Sequence, residues 1–266
     1  MPARFFPAIL LSAAVIALSA PAFADTKEVP IAVATNFADT VKELEPLFEA
    51  EYPYDLKMTT GSGSQLASRI SGGEKFAVLL ADDSDTAQRL VTSGDAVADS
   101  LFTYAVGRLT LWSPEPDTLG ADGAAFLRKG NFHHLAIANP DTAPFGVAAK
   151  QALGSMGLYE ALKDKIVTGD DVGQTFSIVT QGSAEVGMVS LSSVLDPNNQ
   201  HPGAHWEVPS DLYAPIRQDA VLLKVGADDQ GAKDFLEFLH SQVAQTLIQG
   251  FGYGLDTGAG TAAQGD

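Results

Sequence analysis

Pro30-Ile31-Ala32-Val33-Ala34-Thr35-Asn36-Phe37 passes from an unbroken apolar run into small polar side chains, and a helical pattern begins at once. Pro30 to Ala34 reads as a strand buried on both faces. Phe37, Val41, Leu44 and Leu47/Phe48 then recur at helical spacing with polar residues between them. The same change occurs where Leu56-Lys57-Met58-Thr59 runs into Gly61-Ser62-Gly63-Ser64-Gln65-Leu66, and Leu66 and Ile70 lie one turn apart on a helix ended by Gly72-Gly73. It occurs a third time where Phe76-Ala77-Val78-Leu79-Leu80-Ala81 meets Asp82-Asp83-Ser84-Asp85, ahead of Ala87, Leu90 and Val91. Strands alternating with helices predict a mainly parallel sheet flanked by helices. Its ligand edge is expected at the carboxyl ends of the strands, where residues 35–37, 61–65 and 81–83 fall.

Those junctions have a chemistry of their own. The first N–H groups of a helix lack partners within it, and the helix dipole favours negative charge there. Thr35 and Asn36, followed by Ser62, Gly63 and Ser64, let a ligand approach such groups closely and add hydroxyl and amide donors. Two helix starts facing each other would clamp an oxyanion without lysine or arginine. The plainer readings are that Thr35 and Asn36 are helix caps and that Gly61 to Ser64 is a tight turn.

A strand from Tyr104 to Trp112 leads to Pro114 and Pro116, after which a second set of elements begins. Leu135-Ala136-Ile137-Ala138 reads as a strand, and Asn139-Pro140 turns the chain before Pro144-Phe145-Gly146 opens a helix. Strands follow at Lys165-Ile166-Val167 and Val186-Gly187-Met188-Val189, with a helix carrying Val172, Phe176 and Val179 between them. Ala220 to Val225 is a further strand, and a helix from Ala232 to Gln249 buries Phe235, Phe238/Leu239 and Leu247. The tail past Leu255 is rich in Gly and Ala and is expected to fray. Two lobes result, 25–105 plus 220–266 and 106–219, with a cleft between them.

Residues 1–24 carry the marks of an export signal. Arg4 precedes the apolar run Ala8 to Leu18, and Ala22-Phe23-Ala24 is an A-x-A cleavage sequence before Asp25. No later segment is long and apolar enough to span a bilayer. The chain has no cysteine, so disulfide staples and thiolate metal sites are excluded. An exported chain without cysteine points to the periplasm. The formal charge of −17, from 16 basic and 33 acidic residues, opposes nucleic acid and anionic lipid as partners. An anion site must then act at contact, through local dipoles, because salt screens the global field beyond about 8–10 Å.

Other features are weaker. Asp82 to Asp85 lacks the ligand spacing of a calcium loop and reads as a helix cap. His133-His134 and His201/His205 lie in loops without a third ligand, so no metal is expected. No nucleophile elbow, His-Glu-x-x-His or phosphate-cradling loop occurs, and the chain is not expected to be an enzyme. Arg217 reads as an ion-pair or hinge residue. An organic acid would call for an arginine fork, which the candidate loops lack.

In order along residues 29–255, these segments resemble the periplasmic molybdate-binding proteins of ABC importers, within the type II periplasmic-binding superfamily. Ala34-Thr35-Asn36-Phe37 is similar to that family's first ligand loop, and Gly61 to Leu66 to its second. Asn139-Pro140 with Ala143-Pro144-Phe145-Gly146 resembles its Asn-Pro…Ala-Pro-Tyr-Gly loop. Asp171-Val172, Gly187 to Ser192 and Ile216 to Ala220 match further segments. The resemblance implies a two-lobe α/β fold and no cofactor. It implies molybdate or tungstate as ligand, a monomer, and a membrane permease as partner. Thr35 and Asn36 would contact the oxyanion, and Phe145 and Val172 would donate backbone N–H groups. The family's ligand serine falls on Gly63, so Ser62 or Ser64 would supply the hydroxyl. Ser190 stands where some members have a tyrosine. Another oxyanion such as sulfate, and less so a secreted hydrolase, are the alternatives.

Overall fold

The computed structural model describes residues 27–256; the export signal read in residues 1–24 lies outside them. The elements follow the alternation read above. Lys27–Ala34 (β1) turns through Thr35–Phe37 into Ala38–Glu51 (α1), and Tyr54–Gly61 (β2) leads to Gly63–Ser71 (α2). Val78–Leu80 (β3), Ser84–Ser93 (α3) and Phe102–Gly107 (β4) follow. The second group is Leu109–Ser113 (β5), Gly123–Lys129 (α4), Leu135–Ala138 (β6), Pro144–Ser155 (α5), Tyr159–Leu162 (α6) and Ile166–Gly169 (β7). It continues through Val172–Thr180 (α7), Val186–Ser190 (β8), Leu191–Leu195 (α8) and Ala204–Glu207 (β9). Ile216–Leu222 (β10), Gln230–Phe238 (α9) and Gln242–Gly250 (α10) close the described chain.

Two five-stranded sheets form, in the orders β2-β1-β3-β10-β4 and β7-β6-β8-β5-β9. In the first, β2, β1 and β3 run parallel, β10 runs against β3, and β4 runs against β10. The second repeats the plan: β7, β6 and β8 are parallel, β5 opposes β8, and β9 opposes β5. Each sheet therefore has a single reversed strand. In both cases it is the first strand the chain lays down after crossing from the other lobe. The two-lobe α/β fold is borne out.

The expected strand from Tyr104 to Trp112 is in fact two. β4 ends at Gly107 in the first sheet, and β5 begins at Leu109 in the second. Apolar character is continuous through this stretch, but pairing partners change at Arg108. The chain thus passes from the first sheet to the second at Arg108 and returns between β9 and β10.

The alternation of side chains along β1 explains why both of its faces are covered. Val29, Ile31 and Val33 join α1, α9 and α10 in one core, while Ala32 faces Leu66, Ile70 and Leu90 of α2 and α3 in another. Phe48 anchors the first core. Its ring is stacked 4.9 Å from Tyr52 and meets Phe235 and Phe238 edge-on at 5.3 and 5.5 Å. No helix among the described residues is long and apolar enough to cross a membrane.

Phe48 is fully buried, and truncating a buried phenylalanine typically costs about 3–5 kcal/mol. F48A is expected to lower unfolding free energy by that amount in urea titration; a loss under 1 kcal/mol would show that this aromatic cluster does not hold the lobe together.

Candidate anion-binding cleft

Because the parallel strands of each lobe point their carboxyl ends toward the cleft, the helices that follow begin there. Their starts differ in how the first N–H groups are met. α2 has a capping box: Ser62 accepts from the Gln65 backbone N–H, and Gln65 Oε1 accepts from Ser62 N–H. Asp83 caps α3, Asp171 caps α7, and Ser190 caps α8. The turn at Thr35–Phe37 and helix α5 have no side-chain cap. Helix α5 opens on Pro144, which has no N–H to offer. Among the described residues, the N–H groups of Phe145 and Val172 have no backbone or side-chain acceptor.

The cleft brings most of the sequence-derived residues together. Thr35 Oγ1 donates to Asp171 Oδ2 at 3.4 Å, directly joining the first turn of one lobe to the start of α7 in the other. The approach there is close: a methyl group on Gly173 would lie 2.4 Å from Thr35 Cγ2. Ser192 Oγ reaches Asn36 O at 3.4 Å, which ties α8 to the same turn. Phe145 stands at the hinge, where a methyl on Gly107 would meet Phe145 Cζ at 2.8 Å and Gln218 Nε2 at 3.0 Å. Gly63 is buried at the start of α2. Ser62 and Ser64 keep their hydroxyls 3.2 Å apart on its rim. Ser190 is buried, and its hydroxyl lies 2.7 Å from Ser193 Oγ and accepts from Ser193 N–H.

Asn36 has a second set of contacts. Its Nδ2 donates to Gln218 Oε1 at 3.1 Å and to the Tyr253 hydroxyl at 3.3 Å. Tyr253 in turn donates to Asn36 O at 2.7 Å, and Tyr104 OH lies 3.1 Å from both Gln218 Oε1 and Ala81 O. Burial holds the hydroxyls of Tyr104 and Tyr253 far above ordinary phenol values, so both are neutral donors. The Asn36 side chain thus braces the turn. Gln218 and Tyr253 were not singled out as site residues from sequence. They lie 182 and 217 residues from Asn36, and only the fold brings them to it.

Asp82 also differs from its reading as a helix cap. Asp83 alone caps α3. Asp82 is buried beneath Gly63, and its Oδ1 has no hydrogen-bond partner. Burial, then the charge of Asp83, pushes its carboxyl up to about 7; Asp171 adds to this, and the N–H groups of Asp82 and Gly63 offset part of it.

A cavity of about 440 Å³ opens beside these residues, between Ser64 and Thr86 of one lobe and Asp141, Pro144 and Gln151 of the other. Arg89 and Arg217 line it as well. Arg217 Nε lies 3.5 Å from Asp256 Oδ2, in keeping with an ion-pair role. The only three-residue cluster of metal-type side chains among the described residues is Glu45, Glu49 and Asp55, on α1 and β2 away from the cleft.

Two α/β lobes joined at two crossings, with uncapped helix starts facing across the cleft, define a solute-binding protein. Residues 29–254 match the family of bacterial extracellular solute-binding proteins, and the chain belongs to it. Within that class, it is 42% identical over 248 residues to the molybdate-binding protein ModA of Azotobacter vinelandii, covering 92% of this chain and 98% of the relative. It is 41% identical over 241 residues to ModA of Rhodobacter capsulatus, covering 91% and 93%. The solved structure of an Azotobacter vinelandii periplasmic molybdate-binding protein superposes with a TM-score of 0.80 at 32% identity, over 85% of this chain and 99% of that one.

Replacing Gln218 by leucine keeps the volume but removes the acceptor that Asn36 Nδ2 and Tyr104 OH share, leaving Nδ2 its longer bond to the Tyr253 hydroxyl and Tyr104 its bond to Ala81 O. A buried hydrogen bond lost while its donor keeps another partner costs about 0.5–1.5 kcal/mol. Q218L also removes Gln218 Nε2, which is buried without a partner, so it is expected to lose about 1 kcal/mol of stability in chemical denaturation; a variant as stable as the parent would show that the network is not a brace.

Proposed function

We propose that this protein captures molybdate or tungstate in the periplasm and hands it to the membrane permease of an ABC importer. It does so as a monomer that uses no cofactor and carries out no reaction on its ligand. The observation that carries the reading is a cleft of uncapped helix starts and hydroxyls in a family member more than 40% identical to two molybdate-binding proteins. The ligand is held as an oxyanion rather than through a metal–protein bond. Asn36, Gly63, Phe145 and Val172 offer backbone N–H groups, and Thr35 with Ser62 or Ser64 offers hydroxyls. Ser190, occupied as the cap of α8, stands at the margin of this set.

The physical logic is that a buried dianion is tolerated only when many donors converge on its oxygens. Donors held by helix starts in both lobes are half complete in either lobe alone. Ligand therefore favours the closed arrangement by the contacts made only there. Size selection follows from rigidity. The longer metal–oxygen bonds of molybdate and tungstate fill a cavity in which sulfate would make stretched, weaker hydrogen bonds. Net negative charge argues against nucleic acid as a partner.

Calorimetry on the mature chain tests this. Molybdate and tungstate are expected to bind at least tenfold more tightly than sulfate, a gap of about 1.4 kcal/mol; equal affinity for sulfate would overturn the assignment. Closure has a separate test in Gly173. A methyl there meets Thr35 of the opposite lobe at 2.4 Å, so G173A should fold normally yet close poorly. Its molybdate affinity is expected to drop about tenfold, with a smaller ligand-induced fall in radius of gyration by X-ray scattering. If G173A binds and contracts like the parent, the two lobes do not clamp the ligand between them.

A further inference from the structure

The start of α2 holds a group that the donor set above does not use. Asp82 follows β3, and its Oδ1 stands only 2.3 Å from where the first side-chain carbon of residue 63 would be, were residue 63 not glycine. The carboxyl thus occupies the space a side chain at 63 would fill, and a larger residue there would have to displace it. The oxygen is buried and has no partner, although a buried carboxylate normally recruits several donors. An unpaired carboxylate oxygen beside a site for a dianion can persist only if the group is neutral when the site is filled.

We propose that Asp82 belongs to the anion site and takes up one proton when the oxyanion is captured. The proton comes from solvent and forms an O–H bond on the Asp82 carboxyl. That O–H then donates to the ligand at the place where residue 63 has no side chain. This inference rests on the oxyanion reading given above and adds to it a donor that titrates.

The surroundings support this. From its own loop Asp82 faces Asp83, and from the opposite lobe Asp171, both of which disfavour a second negative charge. From β4 the neutral Tyr104 lies against it, and Asp219 of β10 also acts on that tyrosine while accepting from Thr103 Oγ1 at 2.7 Å. On α3 the nearest cation, Arg89, is turned to Thr86 Oγ1 at 2.8 Å, and Thr86 in turn donates to Asp83. Only the N–H groups of Asp82 and Gly63 favour the charged form. With the site empty the carboxyl already titrates at about 7, so a dianion arriving beside it moves the group to the protonated side.

The sign follows from linkage. The complex binds one proton more than the empty protein once pH exceeds the empty-state value, so affinity falls as pH rises, approaching tenfold per pH unit. Below that value Asp82 is already protonated, and affinity is flat.

Isothermal titration of the full mature chain with sodium molybdate at pH 8, in buffers of differing protonation enthalpy, counts the protons directly. The parent is expected to take up close to one proton per molybdate, and its affinity to fall about fifteenfold between pH 7 and pH 8.5. D82N, which keeps a donor but cannot titrate, is expected to take up none and to show affinity independent of pH. Molybdate binding by the parent without proton uptake overturns the role of Asp82 and leaves the oxyanion reading intact. So does uptake that persists in D82N. No molybdate binding at any pH between 6 and 8.5 overturns both.

Discussion

The first N–H groups of a helix have no partner within it, and strand direction decides where in a protein those groups collect. Here four strands of each sheet run one way, so the helices that follow them start on the same side, and the two lobes turn those sides toward each other. The single reversed strand in each sheet marks the passage of the chain between lobes. The hinge and the polar edge thus have one origin in the path of the chain. Where a side chain caps a helix start, as Asp83 and Asp171 do, the cap uses N–H groups that a ligand would otherwise take. The starts left uncapped, at Thr35 and Pro144, are open to an outside acceptor, and so is the N–H of Val172, which the Asp171 cap does not reach.

An acidic protein can bind an anion only if the local field reverses the global one. The candidate contacts in the cleft include no lysine or arginine. Its donors are amides and hydroxyls whose dipoles act within a few ångströms, below the screening length that governs the net charge. Such donors must be held still, since a dipole that rotates loses its orientation energy. Asn36 shows how this is done: its amide is committed to Gln218 and Tyr253, and its carbonyl to Tyr253 and Ser192. A side chain of the binding turn thus serves to immobilise the backbone around it.

Much of this was legible in the sequence, and the exceptions share a cause. The starts of α2, α5 and α7 were readable because glycine, proline and aspartate carry local instructions for a helix terminus. The alternation of strand and helix was readable because burial on both faces of a parallel sheet leaves long apolar runs. The break at Arg108 was not. Apolar character continues through it, and only the pairing of β5 with residues 187–190 separates it from β4. Asp82 and Asp83 both suit a helix start, and depth of burial has no signature in two adjacent acids. Gln218 and Tyr253 gave no local sign of belonging with Asn36, for their contact depends on β10 returning to the first sheet. Local chemistry could be read from the sequence, whereas partnerships across the fold could not.

That return has a consequence for how the molecule is made. The first lobe contains the earliest strands of the chain, yet its sheet lacks an interior member until β10 arrives, and β4 hangs on β10 alone. The turn at Asn36 lacks its brace until Tyr253, near the end of the described chain, has docked. A chain emerging in order from the ribosome therefore cannot complete this lobe before nearly all of it has been synthesised. Closing contacts across more than two hundred residues is slow, because the entropy of joining distant segments must be met before their packing helps. The first lobe accordingly stays incomplete for most of the chain's synthesis, while the second, whose strands β5 to β9 are contiguous in sequence, does not depend on the chain's end.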